Sequence, residues 1–292
     1  MMTVGIVGLG KMGSAIARNL LSHGYAVSVW NRSPQAIDAL VAEGAKSATS
    51  LPALLEAVDV AIVMLWGDEV ARAVSLAQVI PAARAGQLII EMSTLSPSMY
   101  ATLEHAATER GVAFLAAPVL GSVDVARRGA LTVLAGGDRA TFERARELLG
   151  TVGSTLMYTG SVQASGYLKL ANNTILGVFA ETIGELLALC ELAGVDRRVA
   201  VELLAGTFGR AAASKVEQLA ARDDAPRFSL GALLKDLELA HASAQALHLS
   251  TPVMDVVLSE FRSAAAAGLA ERDYIAAALQ RETAGTASAV QN

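Results

Sequence analysis

Short apolar runs alternate with longer amphipathic stretches through the first half of the chain. The runs at 4–7, 26–30, 60–65, 88–92 and 112–116 are too short for helices and read as buried strands. Further strands are expected at 131–135 and 155–158. Between them lie helical segments with start and stop signals. Ser33-Pro34 and Ser96-Pro97 each set a capping hydroxyl before a proline suited to the first turn. Gly24, Gly44 and Gly111 stand where those helices should end. Strands alternating with helices predict a parallel sheet covered on both faces, an α/β doubly wound fold.

Beyond about residue 160 glycine thins out and the periodicity becomes helical throughout. Helices are expected at roughly 163–193, 197–207, 211–222, 232–248, 252–267 and 271–280. The expected organisation is therefore a Rossmann domain over 1–160 and an all-α domain over 161–292. The first of these helices, about thirty residues, would span roughly 45 Å. That reach suits a bridge between domains or subunits, so a homodimer or larger homo-oligomer is expected.

Composition narrows the class. Of 292 residues, 53% are hydrophobic and 17% charged, which excludes a disordered chain. The formal net charge is −5 and there is no long basic run, which speaks against nucleic acid as partner. Any phosphate recognition must then be local. A single cysteine, Cys190, excludes an intrachain disulfide, and its apolar helical neighbours give it a packing role. His23, His105, His241 and His248 are scattered without ligand spacing, so no metal is expected. The N-terminus lacks a basic signal region, and the most apolar helical stretch, 168–192, carries Lys169, Glu181, Glu185 and Glu191. Neither a membrane span nor secretion is expected, which leaves the cytoplasm.

The first strand runs into Gly8-Leu9-Gly10-Lys11-Met12-Gly13, which opens a helix. Gly8 permits the tight turn, Gly10 lets the backbone approach a diphosphate, and Gly13 allows close strand–helix packing. The helix N-terminus then offers free N–H groups and partial positive charge to the anion. Such spacing is weak alone; between a strand and a helix near the start of an alternating pattern it predicts a dinucleotide site. The second strand ends at Asn31-Arg32-Ser33, where an NAD site normally places an acid for the ribose hydroxyls. A guanidinium can pair with a 2′-phosphate that a carboxylate would repel, and Ser33 can add a hydroxyl. NADP(H) is accordingly expected over NAD(H). Leu65 and Thr94, at the ends of later strands, complete the expected cofactor lining, with Ser93 beside them facing the substrate.

Two features go beyond a generic dinucleotide fold. Gly121-Ser122 follow Ala117-Pro118-Val119-Leu120 on a loop leaving the 112–116 strand. On the long helix, Gly166, Lys169, Asn173 and Gly177 fall on one face, where small residues flank an amine and an amide. Burial there, with the positive helix end nearby, lowers a lysine pKa toward useful acid–base values.

Taken in order, the glycine loop, Asn31-Arg32, Ser93-Thr94, Ala117-Pro118-Val119, the Lys169…Asn173 helix and Lys235-Asp236 resemble the β-hydroxyacid dehydrogenase family. That family includes 3-hydroxyisobutyrate dehydrogenase and the glyoxylate/succinic semialdehyde reductases, and the resemblance covers almost the whole chain. It implies Lys169 as general acid/base, Asn173 holding substrate or orienting the lysine, and Lys235 approaching the nicotinamide. It also implies a small-molecule carbonyl or hydroxyacid substrate. One departure stands out: the family's substrate-holding serine after Ala-Pro-Val is here Leu120, so either a carboxylate contact falls to the backbone N–H groups of Gly121 and Ser122, or the substrate is less polar than a hydroxyacid. Two alternatives remain open. An imine reductase shares the architecture but usually carries an acid or tyrosine at the position of Lys169, and a non-catalytic dinucleotide-binding protein would need no such lysine.

Overall fold

The computed structural model describes residues 2–280. It divides into two compact units, Met1–Asn173 and Thr174–Asn292. The division falls inside the long helix rather than at its start, where the sequence pattern changes.

The first unit is built on one sheet: β1 (Val4–Val7), β2 (Val27–Trp30), β3 (Lys46–Ser47), β4 (Val60–Val63), β5 (Leu88–Glu91), β6 (Ala113–Ala116), β7 (Val119–Leu120), β8 (Thr132–Gly137) and β9 (Thr155–Gly160). The order is β3-β2-β1-β4-β5-β6-β8-β7, with β9 beside β8. Strands β3 through β6 pair in parallel, β8 runs antiparallel to β6 and β7, and β9 is parallel to β8. The expected parallel sheet is thus present with an antiparallel edge. Strands β3 and β7, two residues each, leave no apolar run to read. The chain crosses from β3 back past β1 to β4, so the strand order reverses beside β1, where ligands of open α/β sheets gather.

Central strands β1, β4 and β5 are buried along their full length because helices cover both faces. One face packs on α1 (Lys11–Ser22) and α8 (Arg139–Val152) through Ile16, Leu20, Phe142 and Leu149. The other packs on α3 (Leu51–Ala57) and α6 (Pro97–Glu109) through Leu54, Leu55, Tyr100 and Leu103. Helices α1, α2 (Gln35–Ala42) and α6 end alike: the amides of Tyr25, Ala45 and Val112, just past a glycine, reach back to Leu20, Leu40 and Ala107. Ser96 caps α6, accepting from the Met99 amide at 3.1 Å. Ser33 does not do the same for α2, which begins after Pro34 without a side-chain cap.

From β4 the chain continues through α4 (Gly67–Ala71), a π-helical stretch (Arg72–Val79) and α5 (Ile80–Ala82). A short α7 (Val123–Arg127) follows β7, and α9 (Val162–Leu192) begins after β9.

The second unit holds the rest of α9, then α10 (Arg197–Ala221), α11 (Leu230–Ala246) and α12 (Pro252–Ala264), followed by a π turn (Ala265–Leu269). Where two helices were expected at 197–207 and 211–222 there is one, α10. A glycine at 209 costs a helix interior only about 1 kcal/mol, too little to break it. The expected helix at 271–280 is reduced to 276–280, because Asp273 bridges to Ser229 instead. Asp273 is fully buried and accepts from Lys215 Nζ at 2.8 Å and from the amides of Arg227, Phe228 and Ile275. Burial alone would raise its carboxyl; these donors hold it well below the usual range. Glu185 of α9 caps α12 from outside, accepting from the amides of Val253 and Met254 at 2.8 and 3.3 Å.

Candidate active site

The glycine turn divides its tasks as its spacing predicts. Gly8 has φ +93°, and a Cβ there would lie 2.2 Å from the Met64 carbonyl oxygen. A Cβ on Gly13 would lie 2.0 Å from the Gly8 carbonyl oxygen, so α1 can pack this closely on β1 only without a side chain. Gly10 is different, since a Cβ there meets nothing within 4 Å. The open space over Gly10 faces the start of α1, which has no acidic residue in its first turn and no side-chain cap. These features fit a bound diphosphate, which the first-turn N–H groups would hold. Lys11 is exposed and Met12 half-buried at the same turn.

Asn31 braces this turn. Its Oδ1 accepts from the Leu9 amide at 3.1 Å, and its Nδ2 donates to the Ser33 carbonyl at 3.0 Å. An amide suits both contacts at once, whereas a carboxylate could not donate the second. Arg32 and Ser33 are exposed beyond it, and Arg32 has no acidic partner among the described residues.

At the end of β5 lies a network that the sequence reading missed. Glu91 is fully buried. It accepts from Ser75 Oγ at 2.7 Å, from the Ser93 amide at 3.2 Å, and from the Ser93 hydroxyl. Burial pushes its carboxyl up to about 7 against the downward pull of the Ser93 and Ser75 hydrogen bonds. The Ser93 hydroxyl in turn accepts from the Leu65 amide at 2.7 Å, and the Ser93 carbonyl accepts from the Tyr100 hydroxyl. Ser93 is therefore corrected as a substrate contact: it is fully buried and turned into the sheet, while its neighbour Thr94 is the exposed hydroxyl. An acid inside the apolar run Leu-Ile-Ile-Glu-Met was the available signal.

The start of α9 is fixed to the same region. Ser165 is fully buried, with its hydroxyl 2.7 Å from that of Thr159. Gly166 is also buried, and a Cβ there would lie 3.0 Å from Tyr100 and 3.2 Å from Pro97. What approaches this glycine closely is thus α6, not a ligand. One turn on, Lys169 donates to the Val119 carbonyl at 2.8 Å, and half-burial lowers its pKa. Asn173, on the same face, is exposed and accepts from Asn172 at 3.3 Å.

Leu120 is half-buried at the end of β7. Gly121 has φ +134°, and a Cβ there would run into Leu131 at 2.7 Å. The Ser122 hydroxyl caps α7, accepting from the Val125 amide at 3.4 Å. A chain of contacts within the first unit therefore links Gly8 to Met64 and Leu65, Leu65 to Ser93, Ser93 to Tyr100, Tyr100 to Gly166, and the next turn of α9 to Val119. Lys235 lies in the second unit, exposed on α11 and paired with Asp236 at 2.9 Å. Among the described residues, no group of histidine, cysteine and acidic side chains could hold a metal ion, and no helix is long and apolar enough to cross a membrane.

Residues 3–160 match the NAD binding domain of 6-phosphogluconate dehydrogenase, and residues 164–280 match the family described as NAD-binding of NADP-dependent 3-hydroxyisobutyrate dehydrogenase. An NAD-dependent L-serine dehydrogenase of Pseudomonas aeruginosa is 34% identical, the match covering 94% of this chain and 96% of that one. A 3-hydroxyisobutyrate dehydrogenase of the same organism is also 34% identical, over 87% and 89% of the two chains. The solved imine reductase from Myxococcus stipitatus in complex with NADP+ superposes with a TM-score of 0.86 over 94% of this chain and 98% of that one. At 23% identity that likeness speaks to the fold alone.

Proposed function

The chain belongs to the β-hydroxyacid dehydrogenase family, and from that premise we propose that it is an NADP(H)-dependent oxidoreductase interconverting a small β-hydroxyacid, or a similar alcohol, and its semialdehyde or ketone. The observation that carries this reading is the half-buried amine of Lys169, held at Val119 on the same run of contacts as the glycine turn. In this reading residues 1–160 bind the cofactor, and 161–292 complete the substrate site and the assembly.

The bound nicotinamide supplies hydride exchange at C4. In reduction, the Lys169 ammonium protonates the developing alkoxide; in oxidation, the neutral amine accepts the alcohol proton. The Val119 carbonyl fixes the amine's direction, and Asn173, one turn on, binds substrate. Backbone N–H groups of Gly121 and Ser122 receive the carboxylate that Leu120 cannot bind. Leu65 and Thr94 line the cofactor.

The NADP preference rests on Arg32, exposed and without an acidic partner among the described residues, beside an Asn31 whose amide is already engaged. Arg32→Ala should weaken NADPH binding about tenfold or more and leave NADH binding within about twofold, as expected for loss of a charge-assisted phosphate contact. Equal losses for both dinucleotides would remove the basis for the preference.

Leu120 favours one second reading, a reductase of C=N bonds. A panel of 3-hydroxyisobutyrate, L-serine, glyoxylate, succinic semialdehyde and a cyclic imine, run with both dinucleotides, decides between them. Turnover confined to the imine would select the second reading.

We further propose a homodimer. Ile175, Leu176 and Val178 of α9 and Val199, Val201 and Val216 of α10 are exposed apolar side chains, more than a monomer surface usually leaves along two helices. Light scattering after size exclusion should give at least twice the chain mass of 30.1 kDa. A monomer at micromolar concentration would count against it.

A further inference from the structure

Among the described residues, the carboxylate under the cofactor strands has no cationic neighbour. Glu91 ends β5 in full burial and is met only by hydroxyls and an amide: Ser75 Oγ, Ser93 N and Ser93 Oγ. Such a charge is costly to keep in a core, where a neutral side chain of the same shape would ordinarily serve better. Its partners are also unusual. Ser75 comes from the π-helical stretch Arg72–Val79, a form found mostly in short pieces and often near functional sites. Ser93 passes the contact outward: its hydroxyl donates to Glu91 and so turns a lone pair to the Leu65 amide. One carboxylate thereby ties the end of β5 to Leu65, just past β4, the strand that pairs with β1 beside the glycine turn. Leu65 lies beside Gly8, with its Cδ2 3.1 Å from where a Gly8 Cβ would stand, and Thr94 is the next residue after Ser93.

We propose that Glu91 is a positioning residue for the dinucleotide, setting Leu65 and the Thr94 turn through Ser93 before the cofactor arrives. The inference rests on the reading of this unit as the NADP(H) site. Because an ionised carboxylate only accepts, it orients all three donors at once. A neutral amide or acid must donate with one of its atoms, and the Ser75 side of the network has to turn.

The groups around Glu91 do not replace this role. From α6, Tyr100 has its phenol held in the neutral form by burial first, then by Glu91 and Asp68. Asp68 of α4 is engaged by the amide and hydroxyl of Ser96. The flanking strands β4 and β6, Val-Ala-Ile-Val and Ala-Phe-Leu-Ala, bring no titratable side chain.

Three full-length variants, Glu91→Gln, Glu91→Leu and Ser75→Ala, test the proposal by NADPH titration at pH about 8 and by thermal midpoints of the cofactor-free protein. The folded-state pKa of Glu91 is raised above its unfolded value, so the folded protein holds this proton more tightly. Wild-type stability therefore falls as pH rises between about 4.5 and about 7, and is flat above. Glu91→Gln removes that loss and should melt higher than wild type at pH about 8, the advantage fading as pH falls through that window. The same variant should bind NADPH about three- to tenfold more weakly. Glu91→Leu, which leaves three donors unanswered, should bind more than tenfold more weakly, with kcat at saturating cofactor within about threefold. Ser75→Ala should weaken NADPH by about two- to fivefold. A gain in stability together with a loss of affinity is what a purely structural carboxylate would not produce. Glu91→Gln and Ser75→Ala binding NADPH like wild type would overturn the proposal, even if Glu91→Leu fails to fold. Wild-type protein binding neither dinucleotide would overturn the reading of the whole site as well.

Discussion

Lys169→Ala should lower turnover by about 10²–10⁴-fold, the range a positioned general acid or base commonly contributes. NADPH affinity should stay within about threefold, because the amine contacts the Val119 carbonyl and belongs to no part of the glycine turn. The pH dependence carries the sign of the mechanism. Burial lowers the Lys169 pKa, so the ammonium gives way to the neutral amine below the ordinary lysine range. Reduction, which needs the ammonium, should slow as pH rises through that lowered pKa. Oxidation, which needs the neutral amine, should speed up through the same range, and both limbs should flatten in Lys169→Ala. Initial-rate profiles in both directions, with saturating cofactor, are the measurement. Profiles and turnover unchanged by the substitution would remove Lys169 from the chemistry.

The glycine turn gives the second large effect, and it separates two kinds of loss. Gly13→Ala sets a methyl group 2.0 Å from a backbone oxygen that has no freedom to retreat, since Gly8 is itself pinned against Met64. Overpacking of this kind costs about 1–3 kcal/mol, more where backbone must move. Both the thermal midpoint and NADPH affinity should fall, affinity by at least about tenfold. Gly10→Ala should behave otherwise. Its φ of −66° suits any residue and its Cβ would meet nothing within 4 Å, so stability should stay close to wild type. The methyl group would nevertheless stand in the space assigned to the diphosphate, and NADPH affinity should drop about tenfold or more. Gly10→Ala that binds NADPH as wild type does would mean the diphosphate lies elsewhere.

Much of this was legible in the linear chain. The buried strands announced themselves as short apolar runs, and the helix ends as glycines and as Ser96-Pro97, because both signals rest on local backbone sterics and burial. The glycine turn was readable as a spacing between a strand and a helix, although only Gly13 answers to a near neighbour, Gly8, while Gly8 is held against Met64 of another segment. Where local signals were absent the reading stopped short. β3 and β7 are held by pairing alone, and α10 runs on through a glycine whose cost is too small to end it.

The direction in which each side chain points was decided by tertiary structure. Ser93 looked like a ligand contact and instead turns inward to Glu91 and Leu65; Asn31, at the end of the second strand, reaches back to brace the turn through Leu9. Gly166 stood out only as a small residue on the lysine's helix face, and what it makes room for is Tyr100 and Pro97. Lys169 meets a carbonyl fifty positions away, and Glu91 a hydroxyl sixteen positions away on a π-helical turn. Periodicity tells which face of an element is buried, since that depends on the residues of the element itself. Which atom completes a buried hydrogen bond depends on segments that meet only when the chain closes, and sequence spacing carries no record of that meeting.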